Sequence, residues 1–187
     1  MAIEIEIKLA IGLVEPEVRR LRELGANTIS PRLLEENILL DFGEGELRAR
    51  GAMLRVRRYG RSGSVTYKEP APGPAGFKVR REIETVIPDP GALFDVLAAA
   101  GMRAVWRYDK YRTVMEADGV KVLVDETPIG NFLELEGSGE AIGAMARRLG
   151  RSPSDSITAT YRQLFEDWCR ARGREAGDMV FDREPAV

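Results

Sequence analysis

Several short segments of this chain place ionisable side chains two residues apart, the spacing at which neighbours on a β-strand share a face. The acids sharing that parity are Glu4, Glu6, Glu82, Glu84, Asp125, Glu134 and Glu136. The bases are Lys8, Arg55, Arg57, Lys68, Lys78, Arg80, Lys110 and Arg112. A Glu-x-Glu pair on a strand sets two carboxylates about 7 Å apart on one face, able to hold a hard cation from two sides. Donor sets made only of oxygen favour Mg²⁺ or Mn²⁺. A ring of arginine and lysine in the same space suits an extended polyanion, because arginine forks onto two phosphate oxygens while lysine acts as a point charge. A divalent metal with a multi-phosphate is the chemistry that uses both sets. No Gly-rich phosphate loop is present, so side chains would have to hold the phosphates.

Composition removes several alternatives. The chain has no histidine, which excludes Ser-His and Cys-His catalysis, histidine-ligated zinc and histidine acid/base chemistry. Its one cysteine, Cys169, excludes an internal disulfide, fits a reducing cytoplasm and reads as a packing residue. With 31% charged residues but a net charge of −2, the molecule lacks the field expected of a nucleic-acid binder. No apolar run approaches the ~20 residues that span a bilayer. The expectation is a soluble cytoplasmic protein with a small-molecule partner; oligomeric state stays open, a homodimer included.

These side chains must be carried by strands. Residues 3–9 read Ile3-Glu4-Ile5-Glu6-Ile7-Lys8-Leu9, and similar alternation recurs at 54–57, 65–68, 78–84, 110–112, 121–125 and 133–136. An ordinary wet face would mix Ser, Thr and Gln freely with charge, whereas this face is almost all Glu, Asp, Arg and Lys. That predicts a closed barrel with a charged lumen, its apolar outer face covered by helices. Apolar stripes predict helices over 16–24, 90–100, 139–149 and 156–172, the last carrying Ile157, Tyr161, Leu164, Phe165 and Trp168. A further strand is expected over 37–42, a short link over 47–52 and a hairpin turn over 59–64. The Pro/Gly-rich stretch 70–76 reads as a loop between two strands of one domain. One domain is expected over 1–173, and the tail 174–187 has no clear period. Lys78, Arg81 and Lys121 read equally as solvated rim charges, and Glu82 and Glu84 as groups that orient arginines.

The ordered set Glu4-x-Glu6-x-Lys8, Arg55-x-Arg57, Lys68, Arg80-x-Glu82-x-Glu84, Lys110-x-Arg112, Asp125 and Glu134-x-Glu136 resembles the CYTH superfamily of triphosphate tunnel metalloenzymes. That group includes class IV adenylate cyclases, thiamine triphosphatases and inorganic triphosphatases, and the likeness covers residues 3 to about 168. It implies an α+β fold in which an eight-stranded antiparallel barrel forms a tunnel flanked by helices. It also implies metal ligation by Glu4, Glu6, Glu134 and Glu136 with Asp125 or Glu84. The triphosphate would be gripped by Lys8, Arg55, Arg57, Lys68, Arg80, Lys110 and Arg112, and Glu6, Lys8, Glu134 and Glu136 would stand at the reacting centre. Class IV cyclases of the better-known type carry an early His-Phe pair, which this histidine-free chain lacks. Hydrolysis is therefore the expected reaction, with ATP cyclisation the alternative and a triphosphate-binding module without turnover the third.

Overall fold

The structure is a computed structural model that describes residues 2–60 and 62–182. Eight antiparallel strands close into a barrel in the order β1-β5-β4-β3-β2-β6-β7-β8. They are β1 (Ala2–Ile11), β2 (Asn27–Asp41), β3 (Met53–Tyr59), β4 (Ser62–Pro70), β5 (Lys78–Ile87), β6 (Arg103–Ala117), β7 (Val120–Thr127) and β8 (Gly130–Glu136). Helices α1 (Val14–Glu23), α2 (Glu46–Ala49), α3 (Pro90–Ala99), α4 (Gly139–Arg148) and α5 (Tyr161–Arg170) lie between or after them. The expected α+β tunnel architecture is the one observed.

Alternation sets the two faces of the wall. Ile7 and Leu9 of β1, Val122 and Val124 of β7, and Leu133 and Leu135 of β8 point outward into a core closed by Leu21 of α1, by Ile142 and Met145 of α4 and by Leu149 just after it. A second outer core joins Leu40 and Val56 to Leu47 of α2 and to Leu93, Phe94 and Leu97 of α3. Each such side chain contributes roughly 1.5–3 kcal/mol on leaving water. The helices thus cover the apolar face and leave the interior to the charged residues. The third core differs: Trp106, Tyr108 and Phe132 share the inward parity of Lys110 and Glu134, and Tyr161 and Phe165 of α5 pack on them. Helix α5 therefore lies across one end of the lumen.

The structure departs from the sequence expectation at three places. Strand β2 begins at Asn27, ten residues before the expected strand, and its register with β6 shifts on both sides of Ser30. Pro31 offers no N–H to the ladder, so pairing skips past it and the apolar alternation is lost there. Helix α5 begins at Tyr161, because Thr160 and Gln163 form a capping box that stops it from extending back. Ile157, expected on the helical stripe, instead exchanges backbone hydrogen bonds with Lys8 at 2.8 and 3.1 Å. Part of the tail is ordered: Met179 bridges to Tyr108 and is buried, and the Gly177 carbonyl accepts from Trp106 Nε1 at 3.1 Å. At the β3–β4 hairpin Tyr59 pairs with Ser62, and Gly60 takes φ of 60°, a left-handed value suited to a two-residue turn. Arg61, within the expected turn 59–64, and residues 183–187 lie outside the described residues.

Asp41, at the end of β2, anchors the four-residue helix α2. Its carboxylate accepts from the backbone N–H of Phe42, Leu47 and Arg48 at 2.8, 2.9 and 3.0 Å. Burial pushes this carboxyl up, but the three amides outweigh that and hold it below the ordinary range. Asp41→Ala is expected to cost about 1–2 kcal/mol, a fall of roughly 2–8 °C in Tm in a thermal melt. An unchanged melt would show that α2 does not need this anchor.

Candidate metal and triphosphate site

The charged residues of β1, β3–β6 and β8 line one cavity of about 490 Å³ in the barrel. Its acidic side is built by register. Glu6 faces Glu136 across the β1–β8 ladder, and Glu4 lies one repeat along β1. One carboxylate oxygen from each of Glu4, Glu6 and Glu136 lies within 4.8 Å of the others. Each acid also carries one lysine from another strand. Lys68 Nζ donates to Glu4 at 2.6 and 2.7 Å, Lys78 Nζ to Glu6 Oε1 at 2.5 Å, and Lys121 Nζ to Glu136 Oε2 at 3.1 Å. Burial raises the Glu4 and Glu136 carboxyls against the pull of these lysines, with their acidic neighbours adding to the rise. For Glu6, burial and Glu134 push up, but Lys78 and Lys8 prevail and the group sits low.

The buried centre is a paired network. Lys8 Nζ donates to Glu134 Oε1 at 2.7 Å and lies 4.4 Å from the centre of the Tyr161 ring. Arg112 reaches both oxygens of Asp125 at 2.6 Å and also donates to Glu134. Lys110 Nζ and the Tyr161 hydroxyl complete the shell of Asp125 Oδ2 at 2.9 and 2.6 Å. Burial disfavours the charged forms of Asp125 and Glu134. The cations outweigh it, and both carboxyls lie below the ordinary range, Glu134 well below. Lys8 behaves in the same way: burial pulls its ammonium down, Glu134 and Glu6 raise it further, and it stays charged.

The remaining wall is cationic. Arg57 donates to Asn37 Oδ1 at 3.1 Å and pairs with Glu35 at 3.2 Å. Arg55 donates to the Tyr108 and Thr66 hydroxyls at 3.3 and 3.1 Å, and its Nε is left without a partner. Burial and the nearby Arg55 guanidinium pull Arg57 down, the mark of a crowded positive patch.

The sequence-derived cations Lys8, Arg55, Arg57, Lys68, Arg80, Lys110 and Arg112 all line this one cavity. Arg80 does so at its edge, donating to the Gly51 carbonyl at 2.7 Å. Of the sequence-derived acids, Glu4, Glu6 and Glu136 come together and Glu134 lies next to them, bound to Lys8 and Arg112. Asp125 is fully buried away from that trio, its oxygens taken up by Arg112, Lys110 and Tyr161. Glu35, Asn37, Tyr108 and Tyr161 were not singled out as site residues. The alternation Glu35-x-Asn37-x-Leu39-x-Asp41 and the capping signature Thr160-x-x-Gln163 are the signals that could have found them.

The CYTH domain family model matches residues 2–161. The chain belongs to the CYTH domain family. No curated protein sequence matches it. Among solved structures, this CYTH domain is similar to a candidate adenylate cyclase from Vibrio parahaemolyticus, with a TM-score of 0.76 and 16% identity over 86% of this chain and 96% of the other. It is also similar to the PH1012 protein from Pyrococcus horikoshii, with a TM-score of 0.73 and 23% identity over 86% and 98% of the two chains. HpAC1 from Hippeastrum, described as a candidate adenylyl cyclase with a dominant triphosphatase activity, gives a TM-score of 0.66 and 17% identity over 94% and 98%. At these identities the likeness is one of fold. No helix among the described residues is long and apolar enough to cross a membrane.

Proposed function

We propose that this CYTH domain hydrolyses a triphosphate in its tunnel with the help of Mg²⁺ or Mn²⁺. The observation that carries the reading is the pairing, within one cavity, of the Glu4/Glu6/Glu136 carboxylate trio with a wall of buried arginines and lysines. The trio fits a hard divalent cation: its donors are all oxygen, they converge within 4.8 Å, and at Glu4 and Glu136 burial with acidic neighbours disfavours the charged form that a bound cation would favour. Bound there, the ion would supply charge neutralisation at phosphate oxygens.

The chain's own residues account for the rest. Arg55, Arg57, Lys68, Lys110 and Arg112 grip successive phosphates, and Arg55 keeps one N–H free for the purpose. Asp125, Glu134 and Glu35 hold Arg57, Lys110 and Arg112 in place before the substrate arrives, so little reorganisation of these groups accompanies the rise of charge in the transition state. Lys8, held charged by Glu134, stabilises that charge electrostatically and is unsuited to act as a base. A water oxygen attacks the terminal phosphorus, the P–O bond to the bridging oxygen breaks, and orthophosphate leaves. The description of HpAC1 as a protein with dominant triphosphatase activity is in line with this reading.

The test is a product assay with Mg²⁺ or Mn²⁺ against inorganic triphosphate, thiamine triphosphate and ATP. Orthophosphate release without cyclic AMP is the expected result. Cyclic AMP with pyrophosphate would make the protein a cyclase, and saturable triphosphate binding without turnover would make it a binding module. Arg57→Ala is expected to raise KM for the preferred triphosphate roughly ten- to a hundredfold, the worth of a charge-assisted hydrogen bond. An unchanged KM would count against the tunnel as the binding site.

A further inference from the structure

Every acid of the Glu4/Glu6/Glu136 trio holds a lysine of its own: Lys68 on Glu4, Lys78 on Glu6 and Lys121 on Glu136. These lysines come from β4, β5 and β7, so three separate strands each bring an ammonium to the trio. Lys68 and Lys78 are mostly buried, with side-chain exposures of 15% and 21%, and Lys68 is shared with Glu82 at 3.0 Å. Lys121 is half exposed, at 53%, so solvent weakens its hold on Glu136. Lys78, which by sequence could equally be a rim charge, thus contacts the most buried acid of the trio.

We infer that these lysines are exchangeable internal counter-ions, and that Lys78 above all makes metal binding and triphosphate binding cooperative. This rests on the proposed function and concerns the regulation of the same site. A divalent ion entering the trio alone must break carboxylate–ammonium contacts and leave the ammonium groups facing a new positive charge, with no anion to receive them. When a triphosphate enters together with the metal, the lysines swing from carboxylate to phosphate, and every charge keeps a partner. The two ligands therefore help each other, and by linkage each raises the other's affinity by the same factor. Direct attraction between metal and phosphate adds to this coupling in any variant. The lysine part is recognised by what happens to the metal alone, where no phosphate is present.

The experiment measures Mn²⁺ binding by electron paramagnetic resonance of the free ion, with and without a non-hydrolysable imido analogue of triphosphate. The proteins are the full chain, Lys78→Met and Lys121→Ala. In the unsubstituted protein the analogue should tighten Mn²⁺ binding by about tenfold or more. Lys78→Met keeps the chain length and removes the charge. It should bind Mn²⁺ alone about tenfold more tightly and show a correspondingly smaller effect of the analogue. Lys121→Ala, at a half-exposed position, should shift the same way by a smaller factor and stands in if Lys78→Met does not fold. Equal Mn²⁺ affinity with and without the analogue in the unsubstituted protein would overturn the inference while leaving the proposed function standing. So would unchanged or weaker binding of Mn²⁺ alone by the lysine variants. Failure of the unsubstituted protein to bind either Mn²⁺ or the analogue would overturn the proposed function, and the inference with it.

Discussion

Glu6→Gln and Glu136→Gln are each expected to lower turnover by about 10²–10³-fold while leaving the melting temperature within a few degrees. The two halves of that statement have different origins. Gln preserves volume and can still accept a hydrogen bond from Lys78 or Lys121, so the wall stays packed. What it lacks is the negative charge, and a trio converging within 4.8 Å loses a third of its formal charge with each substitution. Partial protection of the variants by triphosphate against heating should remain, because the cations that grip phosphate are intact. Initial rates across a Mn²⁺ titration separate the cases. A shift of the half-saturating metal concentration to higher values identifies a ligand, and normal turnover in either variant would remove both residues from the metal site.

Asp125→Ala should be the most damaging single change for stability, costing about 3–5 kcal/mol. The carboxylate is wholly buried and receives Arg112 twice, Lys110 once and the Tyr161 hydroxyl once. Its removal strands two buried cations and a phenol in a space with little water. At roughly 2–4 °C per kcal/mol for a chain of this size, Tm should drop by roughly 6–20 °C. The pH dependence has a definite sign. Burial raises the Asp125 and Glu35 carboxyls, but Arg112 and its neighbours more than compensate, so both lie below their unfolded values. A carboxyl depressed in the folded state lends stability above its unfolded pKa of about 4, and that contribution is lost as pH falls below it. Melts of the metal-free protein should therefore fall off steeply on the acid side of pH 4, and Asp125→Asn should flatten that fall. A variant that melts like the parent would mean that Lys110 and Arg112 find other partners.

The charged lumen was legible because a strand repeats every two residues. Once Glu4, Glu6 and Lys8 share a face, so must their counterparts on the other strands, and closure into a barrel brings those faces together. Glu35 and Asn37 escaped notice because they follow Ser30-Pro31-Arg32, where the ladder shifts register and alternation breaks. Tyr161 was legible only as a core residue. It is one, packed on Tyr108 and Phe132, but its hydroxyl reaches Asp125, and a period count carries no information about which end of a side chain meets a polar partner. The tail was opaque for a related reason. Met179 is held by a backbone bridge to β6 at one point of the chain, too short a contact to impose a repeat.

The closure of the barrel also bears on how the chain acquires its structure. Strand β1 pairs with β5 on one side and β8 on the other, and the contact between Lys8 and Glu134 joins residues 126 positions apart. During synthesis β1 would leave the ribosome before the other seven strands and then wait, for on the order of ten seconds, until β8 follows. Contacts of such long sequence separation slow folding, because loop closure must precede any gain from pairing. Until then the Ile/Leu face of β1 lacks β8 on one side and α4 above it, and is open to wrong partners. A nascent-chain capture experiment should find chaperones on β1 until residues 130–136 emerge, which makes the strand that carries the first two glutamates the part of the molecule most dependent on assistance.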